Sequence, residues 1–200
     1  MIATQDTSSI IKVALNPGEH FVSAETDVVV STLLGSCIAA CLYDPVRRIV
    51  GMNHFLLANH RYSRETPVCL SEAGRYGIHS MELIINGMLK LGAGRQRLQA
   101  KVFGGSSMLP ASGTTGNFAC VGEVNCRFIV EFLKNDGIPL ISSDLGGNRG
   151  RVILFDARDY SVYVRKMKEI SPKVIDRERH YWSHAIKAHE QKEPDTEMWE

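Results

Sequence analysis

Apolar residues in the first third of the chain come in short continuous runs of the kind buried strands show, and beyond it they change to helical spacing. From Asp27 to Asp44 the sequence DVVVSTLLGSCIAACLYD contains two β-rich apolar runs. The small-residue turn Leu34-Gly35-Ser36 separates them, so Cys37 opens the second predicted strand. Pro45 and two arginines end that strand, and Ile49 to Leu57, IVGMNHFLL, is a third apolar run. A hairpin returns this run to the side of Cys37 and carries His54 with it. From Tyr76 to Leu91 the apolar residues Met81, Ile84, Ile85, Met88 and Leu91 recur at helical spacing, with Gly92 at the position of a C-terminal cap. A second helix is predicted from about Cys120 to Asn135, with Val121, Val124, Phe128 and Phe132 on one face and Asp136-Gly137 as its stop.

The remaining elements are shorter. Gln99 to Phe103 reads as a strand that runs into the turn Gly104-Gly105-Ser106-Ser107. Two strand-like stretches flank Gly146-Gly147-Asn148-Arg149-Gly150, and Ser161 to Arg165 completes the sheet content. Asn59 to Gly74 is polar and irregular, a surface loop long enough to cover a site. Residues 1–166 therefore read as one domain. Residues 167–200 shift to dense charge with scattered aromatics and form an appendage whose order depends on docking, with Asp176 to Glu190 as its candidate surface helix.

Composition narrows the function classes. With 44% hydrophobic and 22% charged residues over 200 positions, a core can form without staples or metals. A formal net charge of +1 gives no single-sign field to attract nucleic acid or membrane. The opening residues lack a basic region followed by a long apolar stretch, and no apolar run is long enough to span a bilayer. The five cysteines, Cys37, Cys41, Cys69, Cys120 and Cys126, are an odd set in a chain too large to need disulfides, which points to free thiols in a reducing, cytoplasmic setting.

One of those thiols stands beside a turn suited to acyl chemistry. Gly35-Ser36-Cys37 lets a carbonyl group approach closely and points backbone N–H groups into one concavity, with Cys37 N–H a candidate oxyanion donor. The plain alternative is a small buried residue at a strand start. His54 and Asn53 are the strongly polar side chains of an otherwise apolar run, so His54 is hydrogen-bonded, solvent-facing or functional. Its placement on the strand next to that of Cys37 favours a nucleophile and base pair. Ser31 or Thr32 could orient the imidazole; alternation puts them on opposite faces, so only one points at the site. The other four cysteines lack such a turn, and the paired short-spacing ligands of a zinc site are missing. Neither FGGSSM nor LGGNRG fits a P-loop or dinucleotide fingerprint. Gly104, Gly105, Ser106, Ser107, Asn148 and Arg149 read either as a cleft lining with a polar rim or as simple turns.

Taken in order, Thr32-Leu33-Leu34-Gly35-Ser36-Cys37, Tyr43-Asp44-Pro45, His54, Tyr76-Gly77, Ala100 to Gly105 and Gly146-Gly147-Asn148-Arg149 resemble the chemoreceptor glutamine deamidase family, CheD, from about Asn16 to Lys166. The resemblance implies an α+β fold, a layered mixed β-sandwich flanked by helices, and a cysteine hydrolase that needs no cofactor. It implies thiolate attack by Cys37 on a glutamine carboxamide, with His54 as base and Gly35, Ser36, Gly104, Gly105, Ser106, Asn148 and Arg149 around the substrate. Methyl-accepting chemotaxis receptors would be the substrates and a CheC-type phosphatase a further partner. In the family the third residue can be a threonine six positions before the cysteine. That position holds Ser31 here and Thr32 follows it, and serine replaces a common alanine in the Gly104-Gly105-Ser106-Ser107 turn. Two other readings stand beside this one: a non-catalytic adaptor for receptors or the phosphatase, and a related hydrolase acting on glutamate methyl esters.

Overall fold

The computed structural model describes residues 10–57, 69, 72–107, 121–168 and 180. In chain order these form β1 (Ile11–Leu15), β2 (His20–Ser23), β3 (Val28–Leu34), β4 (Ile38–Asp44), β5 (Ile49–Asn53), α1 (Glu72–Lys90), β6 (Gln99–Gly104), α2 (Val121–Asn135), β7 (Leu140–Leu145), β8 (Arg151–Asp156) and β9 (Val162–Lys166). Two sheets result, ordered β1-β3-β8-β9 and β2-β5-β4-β6-β7. Both are mixed: β1 runs parallel to β3 and β6 parallel to β7, while every other pairing is antiparallel. The fold is thus an α+β sandwich of two mixed sheets with helices on one outer face.

Side-chain alternation explains the layering. On β3, Val28, Val30, Thr32 and Leu34 are buried while Val29, Ser31 and Leu33 are half-buried, the pattern of a strand with one inward face. β4 is buried at every position, as expected for a central strand covered on both sides. Its Ile38, Ala40 and Leu42 pack with Met81, Ile84, Ile85 and Phe128 beneath the helices. Its Cys37-side face, Ala39, Cys41 and Tyr43, packs between the sheets with Val28, Val30, Leu34, Ile153 and Phe155. Each fully buried large apolar side chain contributes about 1.5–3 kcal/mol, so these two cores hold the sheets in fixed relation. None of the described helices is long and apolar enough to cross a membrane.

Several boundaries differ from the sequence reading. β1 and β2 lie in a stretch that the apolar pattern did not mark as strand; β1 exposes most of its short length and is fixed by pairing with β3. The run Ile49 to Leu57 is not one continuous strand. β5 ends at Asn53, whose Oδ1 accepts the Ala40 N–H at 3.1 Å, and His54 turns its own backbone to Glu19 and Gly18 at 2.9 and 2.7 Å. Pairing resumes at an isolated bridge between Ile38 and Phe55. α1 starts at Glu72, so Glu72 to Gly74 belong to the helix instead of the polar loop; the rest of that loop, apart from Cys69, lies outside the described residues. Cys120 and nearly all of the charged tail also lie outside them, His180 being described as helical and exposed.

Candidate active site

Cys37 and His54 are brought together by β4 and the chain beyond β5. The antiparallel register runs unchanged from Cys41↔Met52 to the Ile38↔Phe55 bridge, whose two residues exchange both backbone hydrogen bonds at 2.9 Å. Continuing that register sets Ala39 opposite His54 and Cys37 opposite Leu56. Cys37 and His54 therefore share one face as diagonal neighbours, a relation that spans about 7–8 Å of backbone and is within reach of an imidazole ring. That face looks into the space between the sheets, where Cys37 is 0% and His54 2% exposed. Charge developing on either side chain is thereby shielded from bulk water, which strengthens every hydrogen bond made there.

The orientation of His54 follows from β1 and β3. Thr32, on the inward face of β3, places Oγ1 2.7 Å from His54 Nδ1 and 2.7 Å from the carbonyl oxygen of Leu15. A carbonyl only accepts, so the single hydroxyl proton goes to Leu15, and Oγ1 accepts from Nδ1–H. The neutral ring is then the Nδ1–H tautomer, which leaves the lone pair on Nε2. Register explains the choice of hydroxyl: Leu15 lies beside Thr32 and Ala14 beside Ser31. Ser31 is half-buried on the other face, its hydroxyl donating to Val13 O at 3.2 Å. Of the two sequence candidates, Thr32 is the one that meets His54.

The turn before Cys37 is stitched to the loop after β6. Gly105 N–H donates to Cys37 O and Ser106 N–H to Gly35 O, both at 2.8 Å. Gly104 makes this approach possible. Its φ is +116°, and a Cβ there would stand 2.1 Å from Cys37 O. Ser106 lies fully buried beneath the rim; its hydroxyl donates to Arg149 O at 2.6 Å and accepts from Arg151 Nη2 at 3.0 Å. Ser107, Asn148 and Arg149 are exposed. Beside them lies a cleft of about 390 Å³ bordered by Gly105, Ser107, Glu123, Cys126, Gly146 and Gly147. Burial pushes the Cys126 thiol up, and it pushes Cys41 and Cys69 up as well.

Two buried polar residues of this region escaped the sequence reading. Arg151 is 1% exposed, ion-pairs with Asp144 at 2.9 Å and donates to the carbonyls of Asp144 and Gly146, bracing the Gly146 to Gly150 loop. Asn125 is fully buried in α2, where its Nδ2 donates to Ser36 O at 2.8 Å and its Oδ1 accepts from Leu57 N–H at 3.0 Å. The signal was present in the helical spacing: Asn125 falls four residues after Val121 and four before Ile129, a polar side chain on the buried stripe. Leu15 was missed because its contribution is a backbone carbonyl, which side-chain patterns do not report.

Comparison with known proteins places the chain among relatives of consistent description. A family model described as CheD chemotactic sensory transduction matches residues 56–166, a span that begins after Cys37 and His54. The probable chemoreceptor glutamine deamidase CheD 1 of Geobacter sulfurreducens is 54% identical over 191 residues, covering 95% of this chain and 94% of that one. The probable chemoreceptor glutamine deamidase CheD 2 of Shewanella oneidensis is 47% identical over 178 residues, covering 86% and 87%. Among solved structures, the Neisseria meningitidis protein NMB0706 is 11% identical, with a TM-score of 0.41 over 70% of this chain and 63% of that one, too slight a likeness to carry argument.

Proposed function

The chain belongs to the CheD family, and from that premise we propose that it deamidates glutamine side chains of methyl-accepting chemotaxis receptors, with Cys37 as nucleophile, His54 as base and Thr32 as the residue that orients it. The observation that carries the assignment is the Thr32–His54 hydrogen bond at 2.7 Å on the face shared with Cys37. In the first step His54 Nε2 takes the thiol proton and Cys37 Sγ bonds to the carboxamide carbon, whose oxygen becomes an oxyanion facing the Cys37 N–H. Collapse of this intermediate breaks the C–N bond, and the nitrogen leaves as ammonia with the proton from His54. Water then gives a proton to Nε2 and attacks the thioester; the C–S bond breaks, leaving glutamate on the receptor and the thiol on Cys37. Thr32 accepts the Nδ1–H bond throughout, so the imidazolium that forms twice is stabilised without a change of tautomer.

Gly35 and Ser36 supply the small turn through which the carboxamide reaches Sγ. Gly104 and Gly105 hold that turn by backbone contacts, and Ser106 acts from below by bracing Arg149 O. Asn148 and Arg149 are the exposed groups positioned to meet the receptor surface. The burial of Cys37 requires its surroundings to part before a receptor side chain enters. Incubation of a receptor cytoplasmic fragment with the protein, read by ammonia release and peptide mass spectrometry, tests the activity. Glutamine-to-glutamate conversion at defined sites is expected. Receptor binding without conversion would replace the enzyme with an adaptor, and conversion of methylated glutamates alone would replace it with an esterase.

A further inference from the structure

The Asn125 side chain touches the backbone on both arms of the catalytic pair. Its two hydrogen bonds reach across 89 and 68 positions of sequence, to the residue before Cys37 and to the third residue after His54. α2 comes this close because Gly122 carries no side chain; a Cβ there would stand 2.5 Å from Gly105 O and 2.7 Å from Ser106 O. The bond to Ser36 O has a geometric consequence. Ser36 C=O and Cys37 N–H belong to one peptide unit, which is planar and trans, so the two groups point in opposite directions. Drawing the carbonyl toward α2 aims the Cys37 N–H away from α2, toward the face on which Cys37 and His54 lie. Accepting a hydrogen bond at the carbonyl also polarises the same unit and strengthens its N–H as a donor.

We propose that Asn125 is a positioning residue for deamidation: by holding Ser36 O it fixes the Cys37 N–H as the oxyanion donor. The inference rests on the Cys37–His54 reading. It differs from a general packing role in what it spares. Alkylation of Cys37 by iodoacetamide needs the thiolate and its base but develops no oxyanion, whereas deamidation needs both. Asn125→Leu removes both hydrogen bonds, and Asn125→Asp, in its ionised form, keeps an acceptor for Leu57 N–H while removing the donor to Ser36 O.

The test compares the full chain with Asn125→Leu, Asn125→Asp and Cys37→Ala, measuring kcat and KM for a receptor fragment and the pH profile of Cys37 alkylation. The expected result for the Asn125 variants is a kcat lower by about tenfold to a hundredfold, short of the roughly hundredfold to thousandfold cost of losing an oxyanion-hole donor outright, with KM within about threefold and, for the uncharged Asn125→Leu, an unchanged alkylation profile. Unchanged kcat in a folded variant, or kcat and alkylation falling together in Asn125→Leu, would overturn the proposal. Amide exchange in the unmodified protein gives an answer that does not depend on the variants folding. The Asn125 side-chain N–H protons are expected to exchange far more slowly than those of a free amide, and exchange at the free rate would overturn it. If Cys37→Ala retains deamidation, the nucleophile assignment itself fails; if only the Asn125 variants retain it, that assignment stands and the positioning role does not.

Discussion

At the scale of single residues, the chemistry depends on which groups hold protons. Thr32 gives its proton to Leu15 O and takes the one on His54 Nδ1. Thr32→Val keeps the side-chain shape but leaves a buried Nδ1–H facing a methyl group, so the ring turns over or tautomerises. The expected outcome is a loss of about a hundredfold in kcat with the protein still folded, whereas Ser31→Ala stays within about threefold; steady-state ammonia release measures both. The thiols divide in the same way. Cys41 shares the inward face of β4, but burial pushes its thiol up, so it stays protonated where a catalytic thiolate must form. Alkylation near neutral pH, mapped by peptide mass spectrometry, is expected to mark Cys37 and leave Cys41 unmodified, and Cys41→Ala is expected to retain activity.

At the scale of elements, the site is built from a turn, two strand ends and a helix that meet at Gly104 and Gly105. Gly104→Ala forces a left-handed φ on a residue with a side chain and drives its Cβ into Cys37 O, which is backbone and cannot swing aside. A cost of about 2–4 kcal/mol is expected, read as a lower urea midpoint, together with loss of activity because the Cys37 carbonyl must shift. Legibility at this scale was uneven. The alternation on β3, the continuous apolar β4 and the helical periods of α1 and α2 were readable because long, strongly patterned segments bury faces of their own. β1 and β2 were not, since strands of five and four residues with mostly exposed side chains are fixed by partners and carry little pattern. The break at His54 was hidden for a related reason: Asn53 replaces a ladder contact with its side chain, and apolar periodicity does not report where a backbone hydrogen bond goes.

At the scale of the whole molecule, the far end of the sandwich is tied by Asp44. Burial alone would raise its carboxyl, but hydrogen bonds from Arg97 and from the backbone N–H groups of Gly94, Arg47 and Val46 outweigh that and hold it at about 2, against an ordinary 3.8. A depressed carboxylate contributes stability that is present above the unfolded value and is lost as pH falls toward the folded one. Roughly 2 kcal/mol follows from the shift. The stability difference between the unmodified protein and Asp44→Asn is therefore expected to hold at pH 5 to 7 and to shrink from about pH 4 to about pH 2 in urea titrations. A difference constant over that range would remove Asp44 from the acid limb. The layered fold and the pairing of Cys37 with His54 followed from hairpin logic and family resemblance, whereas the choice of Thr32 over Ser31 required the register of β1 against β3, a contact 17 positions away in sequence.

Acyl transfer through Cys37 can be trapped by acid-quenching the protein during turnover with a glutamine-containing receptor peptide and mapping the covalent adduct. The expected result is a thioester on Cys37 with the mass of the peptide less ammonia, absent in Cys37→Ala along with all conversion to glutamate. Deamidation that continues unabated in Cys37→Ala would contradict it.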